Sequence, residues 1–483
     1  MNPDFAALLD LCREGGLEPR SDSRAVRPGD IFVAVPGENE NGARFIPDAA
    51  SAGADVIVCR PDVEREILAA ANRCRIVRHE DPREALWRLA QARWRTDELP
   101  LKILAVTGTN GKTTVSGMLE HLFKAAGEKV GVMGTIAYRW PGHEQIAPLT
   151  TPDTLTVHSL LADMAGAGVS MAIMEVSSHA LEQQRVHGIP FDGAVFTNLT
   201  QDHLDYHKDI ESYFAAKTKL FLELPRKDKF TAVNCDDAFG RRLLALCPGA
   251  LSFGLENGTR RPALKGEIVR GGSRGLKLRM RFADAEWVLT SPLPGGFNAS
   301  NLLAAQALGL QFGLAPKDLA ALSSFAGVCG RMERISNPRG LHIFVDYAHT
   351  PDALENVLKT LRGAGFARIV TVFGCGGNRD KTKRPLMGKA VARYSDIAVL
   401  TSDNPRFEDP EDIMADVLPG LAEADKVITE PDRRAATALA LDMLGEDDAL
   451  LIAGKGHEDY QIVNGVKHRY SDQETVRELL SCE

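Results

Sequence analysis

The sequence predicts an α/β protein of three domains, with a mostly parallel β-sheet in the central domain. At 483 residues the chain is too long for a single hydrophobic core. Short apolar strands alternate with helices from Lys102 to Asn234 and again after Arg334, which is typical of parallel sheets covered on both faces. A glycine-bracketed turn, GTNGKTT, connects the first central strand to a helix, so this domain is also predicted to bind phosphate.

The first predicted domain covers residues 1–97 and contains short alternating elements. DIFVAV and ADVIVC are predicted strands because they are rich in β-branched residues. Residues 82–95 are predicted to form an amphipathic helix. Glu98, Leu99 and Pro100 then indicate a linker.

The central domain is predicted to cover residues 98–333. Its predicted strands are ILAVTG, KVGVMGT, MAIMEVSS, GAVFTNL and FTAVN, and its predicted helices cover residues 113–126, 154–167 and 210–224. A glycine-rich β region follows at residues 251–289, and GGFNASNLLAAQALGL begins a further helix.

The third domain is predicted to cover residues 334–483 and to contain a second open α/β sheet, with strands HIFVDY, RIVTVFG, IAVLTS and ALLIAG. In open α/β sheets, ligands bind beyond the carboxyl ends of the strands. Polar residues follow these strand ends in both sheets: Glu175, Asn198, Asp202, Asp346, Asn378, Arg379, residues 403–406 and residues 455–458. We therefore expect the functional sites at these edges.

The composition argues against several classes of protein. Charged residues make up 25% and hydrophobic residues 44% of the chain, and no apolar run reaches membrane-spanning length. The segment MNPDFAALLD carries acids where a secretory signal needs basic residues, so we expect a cytoplasmic protein that does not bind a membrane. A net charge of −8 argues against broad binding to nucleic acid. The eight cysteines include no Cys-x-x-Cys pair, which predicts reduced thiols and neither a disulfide framework nor a zinc site.

The run AVTGTNGKTT predicts a loop that holds a triphosphate. Its glycines allow backbone N–H groups to turn towards phosphate oxygens, Lys112 supplies a cation, and the Thr113 hydroxyl can ligate Mg²⁺. The predicted nucleotide-binding residues are Gly108, Thr109, Asn110, Gly111, Lys112, Thr113 and Thr114. Position 106 is valine where the standard pattern has glycine, so the loop is a variant, and an ordinary strand-to-helix turn is the alternative.

Charged residues after this loop each have more than one interpretation. Glu175 closes a buried strand, from which an acid can reach nucleotide-bound Mg²⁺, or it caps the following turn. The segment TNLTQDHLDYHKD places two aspartates and two histidines within six positions, which fits a metal site, a transition-metal site or a surface turn. Lys217 and Lys219 lie on the next helix and, taken alone, are predicted to be solvated.

Three residues near the boundary between the central and third domains are further candidates. Asn298 in FNASNLLAA suits either a nucleotide contact or a helix N-cap. Arg331 in CGRMER and Asp346 in VDYAHTPDAL can meet a nucleotide across a domain cleft or form a salt bridge within a hinge.

The segment TSDNPRFEDP predicts an amino-acid site. Pro405 fixes the local backbone, so Asp403 and Arg406 are expected to be held in a rigid turn at a strand end. An acid and an arginine presented together suit a zwitterionic ligand. The loop GCGGNRDKTKRP adds Arg379 and further cations at the same edge, so the third domain is predicted to bind an amino acid or a carboxylate.

Taken together, GTNGKTT, MEVSSHAL, TNLTQDHLDYH, GGFNASN, GRMER, DYAHTPDAL and GKGHEDYQ occur in the order and spacing of the Mur ligase family, which the whole chain resembles. The resemblance implies an α/β Mur ligase architecture of three domains, with a central P-loop parallel-sheet domain and a C-terminal Rossmann-like α/β domain. DNPR at 403–406 resembles the members that use meso-diaminopimelate. The implied reaction is the ATP-dependent addition of this amino acid to the D-Glu γ-carboxylate of UDP-MurNAc-L-Ala-D-Glu, through an acyl phosphate, in cytoplasmic peptidoglycan precursor synthesis.

The resemblance also implies roles for individual residues. For ATP and Mg²⁺ it implies the loop residues together with Glu175, His203, Asn298, Arg331 and Asp346, and carbamylation of Lys217 to give a carboxylate-like metal ligand. For the uridine end of the substrate it implies Ser23, Glu38, Asn39 and Glu40, and for the muramoyl-peptide portion Thr150, Thr151, Ser177, Gln183 and Arg185. For the incoming amine it implies Arg379, Asp403, Asn404, Pro405, Arg406, Gly454 and Glu458.

Three alternatives to this function come from the same residues. The amine could be L-lysine, or the chain could resemble folylpolyglutamate synthetase, although nearly 100 residues before the P-loop argue against the latter. A P-loop switch protein would hydrolyse ATP without a peptide acceptor. We expect the protein to act as a monomer on small-molecule substrates, with no nucleic-acid partner.

Overall fold

A computed structural model of the protein describes residues 3–37, 40–202, 204–255, 262–272 and 275–481. Three of the residues discussed above, Glu38, Asn39 and His203, lie outside this part of the chain. The described residues form three successive α/β units, each built on its own β-sheet.

The first unit has a four-stranded sheet with helices on both faces. Its strands are β1 (Pro19–Arg20), β2 (Ile31–Val33), β3 (Val56–Cys59) and β4 (Arg75–Arg78), and its helices are α1 (Pro3–Arg13), α2 (Ile46–Ser51), α3 (Arg65–Ala69) and α4 (Pro82–Trp94). The strands are parallel and adjacent in chain order. Both faces are apolar: α1 and α4 pack on one, and α2 and α3 on the other.

The second unit has an 11-stranded sheet with the P-loop at its centre. Its strands are β5 (Lys102–Thr107), β6 (Val130–Met133), β7 (Ala137–Trp140), β8 (His143–Ile146), β9 (Met171–Glu175), β10 (Phe191–Phe196), β11 (Pro225–Asn234), β12 (Leu251–Leu255), β13 (Leu264–Gly272), β14 (Gly275–Phe282) and β15 (Ala285–Ser291). The order is β15-β14-β13-β12-β11-β10-β5-β9-β6-β7-β8. The run from β13 to β6 is parallel, and antiparallel strands extend both edges.

The helices of the second unit cover the sheet. They are α5 (Lys112–Ala125), α6 (Thr154–Gly166), α7 (Ser178–Glu182), α8 (Leu204–His207), α9 (Ile210–Leu222), α10 (Ala238–Leu246), α11 (Gly296–Gln311) and α12 (Pro316–Leu319). The two largest apolar clusters of the molecule lie on opposite faces of this sheet. Strand β9 is buried along its full length, as expected for a strand inside a parallel sheet covered on both sides.

The third unit has a six-stranded sheet and a separate hairpin. Its strands are β16 (Glu333–Arg334), β17 (His342–Asp346), β18 (Ile369–Phe373), β19 (Ile397–Leu400), β20 (Val427–Thr429) and β21 (Ala449–Ala453), followed by the hairpin β22 (Tyr460–Val463) and β23 (Val466–Arg469). Its helices are α13 (Pro351–Gly363), α14 (Lys383–Tyr394), α15 (Pro410–Val417), α16 (Arg433–Asp442) and α17 (Asp472–Ser481). The sheet order is β16-β17-β21-β18-β19-β20, with only β16 antiparallel to its neighbour.

The observed architecture confirms the predicted three-domain α/β class, while the domain boundaries at residues 97 and 333 stay predictions. Of the two interpretations of Asn298, the helix N-cap was wrong, and the nucleotide contact stays a prediction. Helix α11 begins after Gly295, whose φ is +93°, and Asn298 lies within the helix, where its amide donates to the Pro294 carbonyl oxygen at 2.8 Å. The cap position is therefore filled by glycine, and the Asn298 side-chain oxygen accepts a hydrogen bond from the Asn301 amide at 3.2 Å.

Two further observations concern membranes and cysteines. No helix in the described part of the chain is long and apolar enough to cross a membrane. Every cysteine within the described ranges is a free thiol, in agreement with the predicted absence of a disulfide framework.

Candidate active site

The P-loop connects β5 to α5 and requires glycine at two positions. Gly108 and Gly111 have φ values of +148° and +88°. A Cβ atom on Gly108 would lie 1.9 Å from the Thr197 hydroxyl, and one on Gly111 would lie 2.5 Å from the Asn301 side-chain oxygen. Both glycines thus meet a conformational and a steric requirement. The loop leads directly into the N-terminus of α5, where backbone N–H groups favour a bound anion.

Lys112 begins α5 and lies across the loop. Its Nζ donates to the carbonyl oxygens of Gly108 and Thr109, both at 2.9 Å. Desolvation lowers the pKa of Lys112, while the nearby carboxylates of Glu175 and Asp202 act in the opposite direction. A cation is therefore held at the point where the loop and two acids converge.

Glu175 is next to the P-loop because strand pairing places it there. In the parallel register, Glu175 at the end of β9 is the partner of Val106 on β5. Its buried carboxylate accepts hydrogen bonds from the hydroxyls of Thr113 and Thr135, both at 2.9 Å, and from the Thr135 N–H at 3.0 Å. The sequence-predicted pair of Thr113 and Glu175 is thus in direct contact.

The oxygen donors at this point suit Mg²⁺. A hydroxyl and a carboxylate are hard ligands, and Mg²⁺ bound with a nucleotide takes most of its remaining ligands from phosphate and water. Within the ranges that the structure describes, no group of three or more His, Cys, Asp or Glu side chains is arranged to hold a metal on its own. This arrangement fits a nucleotide-dependent metal site, and a transition-metal site is not formed by the described residues.

Lys217 is buried on α9, so the interpretation of this lysine taken alone, as a solvated residue, was wrong, while its carbamylation stays a prediction. Only 1% of it is exposed, and its Nζ donates to the Gly108 carbonyl oxygen at 3.0 Å and lies 4.7 Å from the centre of the Tyr213 ring. Burial lowers its pKa well below the ordinary value, and the positive charge of Lys112 acts in the same direction. By contrast, Lys219 pairs with Glu182 at 2.8 Å at the surface.

A cavity of about 490 Å³ opens in front of the P-loop between the central and third domains. It is lined by predicted nucleotide-binding residues from both domains: Thr109 to Thr114, Asn298, Arg331 and Asp346. The Arg331 guanidinium donates to the Thr113 hydroxyl at 3.2 Å and lies 4.6 Å from the centre of the Tyr347 ring. Asp346 accepts hydrogen bonds from the N–H groups of Met332 and Ala348, and burial raises its pKa.

Asp352 connects the third domain to the P-loop. It is in the first turn of α13, and its Oδ2 accepts hydrogen bonds from the Asn110 amide and the Thr200 hydroxyl, both at 3.0 Å. Both donors belong to the central domain, and Asp352 also lines the cavity. Sequence reasoning gave no role to this residue, although an acid directly after Pro351 at the start of a helix was a visible signal.

The residues predicted for the muramoyl-peptide portion form one hydrogen-bonded group beside Glu175. The Thr151 hydroxyl donates to the Glu175 carbonyl oxygen at 2.8 Å and accepts from the Ser177 N–H at 3.0 Å. Arg185 donates to the Gln183 side-chain oxygen at 2.9 Å and to the Thr151 carbonyl oxygen at 3.2 Å. Thr150, the fifth member, is 3.2 Å from the Thr135 hydroxyl and lines the cavity.

A second polar site follows β19 and β21 in the third domain. The Asn404 amide donates to Glu458 at 2.9 Å, and its oxygen accepts from Lys455 at 3.1 Å. Lys455, which is fully buried, also lies 3.6 Å from Asp403 and 3.5 Å from Glu458. A Cβ atom on Gly454 would lie 2.5 Å from the Asp403 carboxylate, so glycine is required there. Lys455 had no role in the sequence prediction.

Two arginines in this second site form no ion pair in the described part of the chain. Arg406, next to Pro405, donates to the Gly377 carbonyl oxygen at 2.7 Å, and Arg379 forms neither an ion pair nor a hydrogen bond there. Burial lowers the pKa of Arg406, and the charge of Arg379 lowers it further. The charges of Asp403 and Glu458 act in the opposite direction, but neither acid forms an ion pair with Arg406. Two neighbouring guanidinium groups that form no ion pair favour the binding of an anion.

Tyr347 lies between the two sites. Its ring contacts Arg331 of the cavity, and burial together with the charge of Glu458 raises its pKa to about 12. Ser23 and Glu40, predicted for the uridine end, are in the first domain and do not line the cavity. The structure therefore places the predicted nucleotide residues around the cavity and the peptide residues beside it, with Thr150 in its lining. The predicted amine residues form the separate second site, and Ser23 and Glu40 are in neither site.

Models of Mur ligase domains match most of the chain. The Mur ligase family catalytic domain matches residues 20–94, the Mur ligase middle domain residues 106–309, and the Mur ligase glutamate ligase domain residues 330–456.

Full-length relatives agree with these matches. The UDP-N-acetylmuramoyl-L-alanyl-D-glutamate–2,6-diaminopimelate ligase of Lawsonia intracellularis is 54% identical over 464 residues, covering 96% of this chain and 95% of the relative. The ligase of the same name from Synechococcus elongatus is 43% identical over 490 residues, covering 100% and 96%. A solved structure of a ligase with this name has a TM-score of 0.68 at 34% identity and covers 96% of this chain and 94% of that one. The chain therefore belongs to the Mur ligase family.

Proposed function

We propose that the protein is an ATP-dependent amide ligase that joins meso-2,6-diaminopimelate to the D-Glu γ-carboxylate of UDP-MurNAc-L-Ala-D-Glu. The observation that carries this proposal is the pair of Arg379 and Arg406, which form no ion pair among the described residues. Their site adjoins Tyr347, which lines the P-loop cavity. The names of full-length relatives support the same substrates.

The first chemical step activates the acceptor carboxylate. A carboxylate does not react with an amine, so one of its oxygens attacks the γ-phosphorus of ATP, the bond to the β,γ-bridging oxygen breaks, and an acyl phosphate and ADP result. Lys112 and Arg331 are positioned to neutralise charge on the transferring group. Thr113 and Glu175 would hold Mg²⁺, which supplies further charge neutralisation when bound.

The second step forms the amide. The free amine attacks the acyl carbon, a tetrahedral intermediate forms, and phosphate leaves with one oxygen of the former carboxylate while the amine loses a proton. Closure of the third domain on the central one would exclude water, which would otherwise hydrolyse the acyl phosphate.

We propose that Lys217 is carbamylated in the active enzyme. Its lowered pKa favours the neutral amine, which is the form that reacts with CO₂, and its Nζ lies 3.0 Å from the Gly108 carbonyl oxygen of the P-loop. The neutral amine adds to the carbon of CO₂ and releases a proton, which gives an anionic carbamate. This anion would lie near Lys112 and would add an oxygen ligand for Mg²⁺.

The amine site supports a ligand with two carboxylates. Asp403 and Glu458 would contact ammonium groups, Asn404 and Gly454 would shape the site, and Arg379 and Arg406 would pair with a carboxylate. L-Lysine lacks the second carboxylate and would leave this pair uncompensated, which argues against it as the preferred amine.

The remaining parts of the proposal concern the acceptor and the setting. Thr150, Thr151, Ser177, Gln183 and Arg185 would contact the peptide portion, and Ser23 and Glu40 the uridine end. The first domain has its own sheet, which argues against a folylpolyglutamate synthetase. We propose a monomer acting in the cytoplasm, because one chain supplies every residue invoked and ATP is the phosphoryl donor.

Product analysis tests this function. Incubation with ATP, UDP-MurNAc-L-Ala-D-Glu and meso-diaminopimelate should release ADP and yield one new compound whose mass equals the two organic substrates minus water. Omission of either organic substrate should suppress ADP release. ADP release that continues without the acceptor would instead support a P-loop switch protein, and equal use of L-lysine would contradict the proposed amine.

A further inference from the structure

The loop that carries Arg379 and the loop that carries Arg406 are joined by one acid, Glu408. Its side chain is only 17% exposed, and both of its oxygens accept hydrogen bonds from the buried Arg384 guanidinium at 3.0 Å. Glu408 also pairs with Lys381 at 3.2 Å and accepts a hydrogen bond from the Asn378 N–H. Glu408 is in the loop after β19, whereas its partners are in the loop after β18 and in the first turn of α14.

Two hydrogen bonds from backbone N–H groups also connect the loops directly. The Gly377 N–H donates to the Asn404 carbonyl oxygen at 2.9 Å, and the Phe407 N–H donates to the Asn378 side chain at 3.0 Å. A Cβ atom on Gly377 would lie 1.9 Å from the Pro405 carbonyl oxygen. The loops therefore pack directly against each other, without room for a side chain between them.

The backbone on both sides of this junction is in an uncommon conformation. Asn378 and Arg406 have φ values of +52° and +57°, which non-glycine residues adopt only when their surroundings hold them there. Asn378 immediately precedes Arg379. Asn378 is held in this conformation by its contacts with Glu408 and Phe407. Arg406, two residues before Glu408, is also held by the hydrogen bond from its N–H to the Ile462 carbonyl oxygen at 2.9 Å.

Glu408 does not neutralise either arginine. It forms no ion pair with Arg379 or Arg406 in the part of the chain that the structure describes. The Asn378 N–H, together with Arg384 and Lys381, lowers the pKa of Glu408 to about 2, so it is charged at neutral pH. The contacts of Glu408 therefore link the two loops without occupying the guanidinium group of Arg379 or Arg406.

We propose that Glu408 is a positioning residue that sets the spacing of Arg379 and Arg406 and thereby selects amines with a second carboxylate. The inference rests on the proposed function, since it assigns the basis of amine specificity within that site. Two like charges repel each other and separate when their loops are released. A second carboxylate benefits from both guanidinium groups only while they stay together, whereas a monocarboxylic amine gains nothing from the pair.

Substitution of Glu408 tests the proposal, with Asp416 as the matched control. Asp416 pairs with the same arginine, Arg384, at 2.8 Å but is on α15 and is 46% exposed. In Glu408→Gln and Glu408→Ala, kcat/KM for meso-diaminopimelate should fall about 30-fold or more, mainly through KM. The value for L-lysine should change by less than about threefold, and Asp416→Asn should leave both amines within about twofold of the unmodified enzyme.

Two readouts separate positioning from a general loss of structure. The melting temperature identifies a variant that does not fold, in which case Glu408→Gln, which keeps the side-chain shape, supplies the kinetic test. The KM for the nucleotide-peptide should stay unchanged in both variants. An unchanged preference between the amines, or an equal loss with both, would overturn the proposal. Failure of the proposed function is seen separately, because the unmodified enzyme would then show no preference for meso-diaminopimelate.

Discussion

Removal of the Asp352 carboxylate should weaken the closure of the third domain on the P-loop. Two of its hydrogen bonds, from Asn110 and Thr200, cross the boundary between the domains at 3.0 Å. A hydrogen bond to a charged group contributes about 1.5–3 kcal/mol. Because Asp352 lines an open cavity, the lower value applies to each bond, and Asp352→Ala should cost about 3 kcal/mol of closed-state stability. This corresponds to roughly a 100-fold loss in kcat/KM for ATP where closure limits the reaction.

Steady-state kinetics with ATP varied at saturating acceptor and amine measure this loss. Glu355→Ala is the control, since Glu355 is one turn later on the same helix and contacts Lys359 at 2.7 Å and Tyr394 at 3.1 Å within its own domain. The control should retain kcat/KM for ATP within about threefold of the unmodified enzyme. The reasoning is refuted if Asp352→Ala also stays within that range, or if both variants lose the same amount.

Three further predictions concern other parts of the site and the fold. Lys217→Ala should lower kcat about 10³-fold, and a short-chain carboxylate should restore part of the activity. With ¹³C-bicarbonate, the unmodified protein and Lys219→Ala should show a carbamate resonance in the NMR spectrum that Lys217→Ala lacks, and full activity in CO₂-depleted buffer would contradict this prediction. Lys112→Ala and Glu175→Ala should abolish acyl-phosphate formation but leave nucleotide-peptide binding, measured by calorimetry, within a few-fold; near-normal turnover in either would remove the P-loop from the catalytic ATP site. Burial lowers the pKa of His158 from 6.5 to about 4, so the unfolded chain takes up a proton first as pH falls, and stability is lost between pH 6.5 and 4. The free energy of unfolding, measured in urea, should therefore be about 2 kcal/mol lower at pH 5 than at pH 7. In His158→Gln this free energy should fall by less over the same interval, and an equal fall in the variant and the unmodified protein would refute the assignment.

Local patterns were sufficient to predict the class of fold and most of its central elements. Helix α4 was predicted over residues 82–95 and ends at Trp94, because Arg95 adopts a left-handed conformation with φ of +49°. The contact of Thr113 with Glu175 followed from the rule that ligand-binding residues lie at the carboxyl ends of parallel strands. Such predictions need only periodicity and the position of a residue at the end of an element.

Contacts between distant segments could not be predicted in the same way. Asp352 meets Asn110 across 242 positions of the chain, and nothing in either local sequence specifies the relative placement of two domains. The burial of Lys217 depends on how α9 packs against the P-loop, which a helical pattern alone does not reveal. An N-cap was one of two interpretations of Asn298 because asparagine is common there, but Gly295 supplies the backbone conformation that begins the helix.

Transfer of an isotope from the acceptor tests the central claim most directly. The acceptor is prepared with ¹⁸O in the D-Glu γ-carboxylate and incubated with ATP and meso-diaminopimelate, and the released phosphate is analysed by mass spectrometry. Formation of an acyl phosphate in the P-loop cavity predicts one ¹⁸O atom in each phosphate, one phosphate for each amide formed, and ADP as the nucleotide product. Phosphate without the label, or AMP in place of ADP, would contradict the account.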